Sequence, residues 1–82
     1  MELVLLTEEL VKALALNKDA VSVKEFASDD EDVIVIQVMI DSEDMGRVIG
    51  KGGKVANSIR TIVQASSYLK DNKRIKINID SF

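Results

Sequence analysis

Gly50, Gly52 and Gly53 stand within four positions, with Lys51 between them and Lys54 directly after, and these residues are suited to holding an anion. Without Cβ atoms the backbone there is free to take positive φ and to approach another backbone closely. From Gly53 onward the chain has helical periodicity, so the turn's amides point the way amides at a helix N-terminus point, where negative charge is favoured. The lysines place positive charge at the same spot. A tight bend between two helices that holds no ligand is the alternative.

Spacing narrows the chemistry. A P-loop ending at Gly53-Lys54 would put Val48 at its first glycine and Val55 at the magnesium-binding hydroxyl. Counted from Gly50-Lys51, those positions fall to Met45 and Gly52. A dinucleotide fingerprint starting at Gly50 and Gly52 would need its last glycine at Val55, and no strand leads directly into the turn. Neither nucleotide cofactor fits, and no cofactor is expected. The chain has no cysteine and no histidine, which excludes disulfides, thiol catalysis, the usual zinc sites and an imidazole base. Ser22, Ser42 and Ser58 have no recognisable base beside them, so no catalytic residue and no metal ligand is assigned.

The elements around the turn follow from periodicity. Leu3, Leu6, Leu10, Val11 and Leu14 predict an amphipathic helix to about Leu16, with Thr7 as the cap of a shorter version. Residues 20–26 alternate as a strand. The acidic run Ser28 to Asp32 is a hairpin tip that discourages edge pairing; it lacks the ligand spacing of a calcium loop. Val33 to Ile40 is a nearly unbroken aliphatic run, which predicts a strand buried on both sides or central in its sheet. Capping residues Asp41 to Asp44 open a short helix that leads into the glycine turn. Val55, Ala56, Ile59, Ile62, Val63 and Ser66 form a helical face to about Tyr68 or Leu69, and residues 74–79 alternate as a last strand. The order is α-β-β-α-α-β, with an antiparallel first pair and, across the helical crossover, a parallel second pair. With 82 residues there is room for one domain, residues 1–82.

Ile49-Gly50-Lys51-Gly52-Gly53 followed by Ile59 on a helix resembles the Ile-Gly-x-x-Gly signature of KH RNA-binding domains, and the element order resembles their type II arrangement. Asp44 to Lys51 and Ile59-Arg60-Thr61 are similar to the small bacterial stand-alone KH proteins, the KhpA-like group. The resemblance covers most of the chain. It implies an α+β fold, a three-stranded mixed sheet packed on one side by three helices. It also implies a backbone clamp for about four single-stranded nucleotides, made here by Gly50, Lys51, Gly52, Gly53 and Lys54. Val48, Ile49, Val55 and Ile59 would lie near an aliphatic groove for the bases, or belong to the core. Arg47, Arg60, Lys73, Arg74 and Lys76 are rim candidates, or solubilising charges. Ala56 departs from the pattern, since many relatives carry a larger aliphatic residue there.

The formal net charge of −3 conceals a division. Residues 1–44 carry three lysines against twelve acids, whereas residues 45–76 carry eight cations against Asp71 alone. The basic part carries the glycine turn, which points to a polyanion; mutual attraction of the two halves is the plainer reading. No aromatic residue falls between Met45 and Ser67, so ring stacking is not expected to dominate and binding should be permissive and salt-sensitive. The expected partner is single-stranded RNA. The family also implies a homodimer, or a heterodimer with a larger KH-family RNA-binding protein, so an interaction module is the second functional reading. No apolar stretch reaches membrane-spanning length and no leader is recognisable, so the expected location is the cytoplasm, with no membrane partner.

Overall fold

The computed structural model describes residues 2–82. Helix α1 (Leu3–Leu14) is followed by a 3-10 turn at Lys18–Ala20, strands β1 (Ser22–Phe26) and β2 (Val33–Ile40), and a second 3-10 turn at Ser42–Asp44. Helix α2 (Met45–Ile49), the glycine turn, helix α3 (Lys54–Lys70) and strand β3 (Arg74–Ser81) complete the chain. The predicted order and both pairings hold: β1 pairs antiparallel with β2, and β2 pairs parallel with β3. Strand β2 is therefore central.

The helices cover one face of the sheet. Along β2, Ile36, Val38 and Ile40 are buried while Val33, Val35, Gln37 and Met39 are half-buried, the period-two signature of a strand covered on one side. Burial on both sides, one of the two expectations for this run, does not occur. Val23, Val38 and Ile79 form one lateral row of the covered face, and Ile36 and Ile77 stand side by side in the next. Leu3 and Val11 of α1, Val48 of α2, and Ile59 and Val63 of α3 close the same core. Burying each such aliphatic side chain contributes about 1.5–3 kcal/mol, and a chain without disulfides depends on that packing.

Several boundaries differ from the periodic reading: β1 begins at Ser22, after Ala20 has been taken into the 3-10 turn, β3 runs on to Ser81, and both ends of α1 shift. Glu2, not Thr7, caps α1: its carboxylate accepts from the amides of Val4 at 2.8 Å and Leu5 at 3.1 Å. Thr7 is buried one turn inside, with its hydroxyl donating to Leu3 O at 2.8 Å. Ala15 N still closes on Val11 O at 3.0 Å, and the helix stops there because the amides that follow are taken elsewhere. Leu16 N and Asn17 N donate to the carboxylate of Asp44 at 3.0 and 2.9 Å, which pulls the chain out of the helical path. The ammonium of Lys18 donates back to the carbonyls of Lys12 and Ala15, so the last turn is closed by a cation, as the helix dipole favours.

Candidate nucleic-acid interface

Helix α2 ends where Gly50 N donates to Gly46 O at 2.9 Å, and the chain then turns through Lys51–Gly53 into α3. Gly50 adopts φ 75°, ψ 172°, a region essentially closed to other residues, and Gly52 and Gly53 are left-handed at φ 64° and 80°. At Gly50 the requirement is doubled. A Cβ there would stand 2.4 Å from Cγ2 of Val55 and 2.9 Å from its backbone nitrogen. At Gly52 a Cβ would meet nothing within 4 Å, so the outer side of the turn is open.

The amides beyond this turn begin a helix of 17 residues, and no side chain caps it. A helix of that length presents the positive end of its dipole at Gly53–Lys54. Lys51 and Lys54 are exposed there, and among the described residues neither has a carboxylate within ion-pair distance. Bare backbone, an uncapped helix start and two free ammonium groups thus converge on one side of the molecule.

Asp44 anchors the other end of α2. It is fully buried, and besides the two amides of the α1–β1 connection it accepts from Asn17 Nδ2 at 3.2 Å. The backbone hydrogen bonds from Asn17 and Leu16 hold its carboxyl below the usual carboxylate range, with a smaller contribution from Arg47, whose Nε lies 3.8 Å away. Sequence reasoning placed Asp44 among capping residues. Asp41 caps the 3-10 turn at Ser42–Asp44, accepting from Glu43 N at 2.8 Å, and α2 itself has no side-chain cap.

The sequence-predicted residues divide into four groups. Gly50, Lys51, Gly52, Gly53 and Lys54 come together in the turn, with half-buried Ile49 and Val55 beside them and exposed Arg47 on the preceding helix. Val48 and Ile59 lie in the core, out of reach of a ligand. Arg74 and Lys76 alternate with the core-facing Ile75 and Ile77, so they project from the sheet face opposite the helices. Arg60 leans over the outer edge of β3, with Nη2 3.4 Å from Ile77 O and Nη1 3.1 Å from Asn57 Oδ1. Gln64 locks the same edge like a second peptide: Nε2 donates to Lys73 O at 2.9 Å and Oε1 accepts from Ile75 N at 2.8 Å.

Beside that edge runs a mainly apolar groove of about 440 Å³, lined by Arg60, Thr61, Gln64, Ala65, Tyr68 and Ile75. Tyr68, expected only as the end of the helical face, stands one residue beyond Met45–Ser67, the stretch without an aromatic residue. Thr61, Ala65 and Tyr68, spaced four and three apart, are the helical signal that marks it. A hollow of about 490 Å³ at the α1–β1 junction is slightly larger, but Asp19 and Asp41 line it, which disfavours an anion.

A family model described as KhpA/KhpB, KH domain matches residues 5–79. The chain belongs to this family. Relatives named RNA-binding protein KhpA include that of Caldanaerobacter subterraneus subsp. tengcongensis, 43% identical over 74 residues, covering 90% of this chain and 95% of the relative. That of Clostridium acetobutylicum is 39% identical with the same coverage, and that of Aquifex aeolicus is 38% identical, covering 90% of each chain. Among solved structures, Era in complex with MgGDPNP and nucleotides 1506-1542 of 16S ribosomal RNA superposes with a TM-score of 0.67 at 17% identity. That match covers 96% of this chain and 29% of Era. A GDP- and AlF4-bound Aquifex aeolicus Era variant gives 0.68 at 16% identity, covering 98% of this chain and 30% of that one. At such identities the Era structures establish the fold, a type II KH domain. The matched residues 5–79 include the turn just described.

Proposed function

We propose that the chain binds single-stranded RNA by seating its sugar-phosphate backbone on Gly50–Gly53, without catalysis, and serves in the cytoplasm as an RNA chaperone or post-transcriptional regulator. The observation that carries this reading is the open glycine turn at the uncapped start of α3, flanked by two lysines without carboxylate partners. Phosphate oxygens accept from main-chain amides there, Lys51 and Lys54 offset the charge, and the bases turn toward α3 and β3. The names of the KhpA relatives support RNA as the partner.

The test is RNA binding by the double variant Lys51→Asp, Gly52→Asp. Aspartate tolerates the left-handed conformation better than most residues, and position 52 has free space around it, so the fold persists while two negative charges enter the seat. Loss of binding with an unchanged circular dichroism spectrum is expected. Unchanged binding would place the RNA on another surface.

A second reading, association with another copy or with a larger KH-family protein, has one observation in its favour. Ile62 and Leu69, two turns apart on α3, are 47% and 90% exposed and lie on one stripe of the helix. The two readings use different parts of α3 and are compatible.

A further inference from the structure

The sheet face turned away from the helices carries side chains unlike those of a face left to water, where strand positions are ordinarily polar. On the central strand β2 these positions are Val33, Val35, Gln37 and Met39, all half-buried. Gln37 interrupts the apolar strip, with its amide nitrogen turned to Met39 Sδ at 3.5 Å. Phe26 stands beside Val35 on β1 and is 51% exposed.

Cations flank the strip on both outer strands. On β3, Arg74 pairs with Val33 and Lys76 with Val35, and on β1 Lys24 pairs with Gln37. All three are exposed, and among the described residues none has a carboxylate within ion-pair distance. At the usual strand spacing the outer strands are about 10 Å apart, the diameter of an α-helix. Val33 to Met39 spans about 20 Å, which a helix covers in roughly 13 residues.

A nucleic acid is the other occupant that cations invite, but its charge recurs at every nucleotide. Both ends of the strip are acidic: the hairpin tip Asp29 to Asp32 precedes Val33, and Asp80 lies beside Met39. A helix needs carboxylates only where Lys24, Arg74 and Lys76 stand, with apolar residues every three or four positions over the strip.

We propose that the open face of the sheet docks an acidic amphipathic helix of a partner protein, laid along β2. Its apolar stripe rests on Val33, Val35 and Met39, and its acidic shoulders meet Lys24, Arg74 and Lys76. The helical side of the molecule stays clear, so the chain can hold this partner and an RNA on Gly50–Gly53 at once. Docking on the sheet does not depend on RNA binding.

The probe is a labelled synthetic helix of about 14 residues, with leucine along one stripe and glutamate on both shoulders, titrated by fluorescence anisotropy. The controls are a scramble of the same composition and a version with lysine for glutamate. Wild-type protein is expected to prefer the striped glutamate peptide over the scramble by about tenfold, and Val35→Asp to remove that preference. Lys24→Glu combined with Lys76→Glu is expected to weaken the glutamate peptide by about tenfold and to strengthen the lysine peptide. Val35→Asp leaves the affinity for single-stranded RNA unchanged. Circular dichroism checks the fold of each variant, and if Val35→Asp does not fold, the charge exchange decides. A wild-type protein without preference for the stripe overturns the proposal, as does unchanged peptide binding in both variants. A fall in RNA affinity in folded Val35→Asp gives the face to RNA, and self-association that this variant abolishes without any peptide preference gives it to a second copy; either result overturns the helix site.

Discussion

Val55 occupies the space that a side chain on Gly50 would need. The contact joins the end of α2 to the first turn of α3 and sets the path of the glycine turn. Gly50 is therefore required by the fold itself, whereas Gly52 is free on its outer side.

The two glycines should separate in a stability measurement. Gly50→Ala combines a forbidden φ/ψ with a clash against Val55 and is expected to cost about 3 kcal/mol or more. Gly52→Ala places alanine in a left-handed conformation with open surroundings, for about 1 kcal/mol. Urea unfolding of both variants checks this; equal losses would mean the turn is not packed as described.

Salt dependence tests the electrostatic part of the seat. With three or four phosphate contacts, log affinity for single-stranded RNA should fall against log salt with a slope of roughly −2 to −3. Lys51→Gln and Lys54→Gln should each make the slope shallower by about 0.7. A flat titration of the wild-type protein would rule the seat out.

Acid should weaken the fold through Asp44. Its carboxyl is held below the ordinary value of 3.8 by the amides of Asn17 and Leu16, so the folded state favours the charged form. That contribution is complete well above the ordinary value and disappears as the pH falls below it and through the depressed folded value. Stability followed by circular dichroism from pH 6 downward should decline in that window. Asp44→Asn should be less stable at neutral pH, because its amide nitrogen would face amide donors, and should show a smaller acid decline.

The exposed aliphatics of α3 give a separate test. Leu69→Glu should change monomer stability by no more than about 0.5 kcal/mol, as for surface substitutions generally. Any self-association seen by sedimentation should decrease if Leu69 belongs to the contact. An unchanged distribution would remove this part of α3 from consideration as the interface.

Much of the architecture is legible in local pattern. The run from Val33 to Ile40 is the central strand with the expected bounds, because a nearly unbroken aliphatic stretch of that length finds partners on both edges, although only one of its faces is covered. Gly50, Gly52 and Gly53 mark the turn because positive φ is a property of single residues. The element order, both pairings and the family signature follow from the same kind of short-range information.

Only the tertiary structure decided which charged groups meet. Asp44 reads locally as a cap, but its partners lie 27 and 28 residues away, and packing turns it into the buried anchor of α2. Arg60 and Arg74 look equivalent as basic residues near the turn. One reaches over the edge of β3 toward Tyr68, and the other is carried by strand alternation to the opposite face of the sheet. Periodicity shows on which side of its own element a residue lies, while the neighbour on that side is set by contacts between distant parts of the chain.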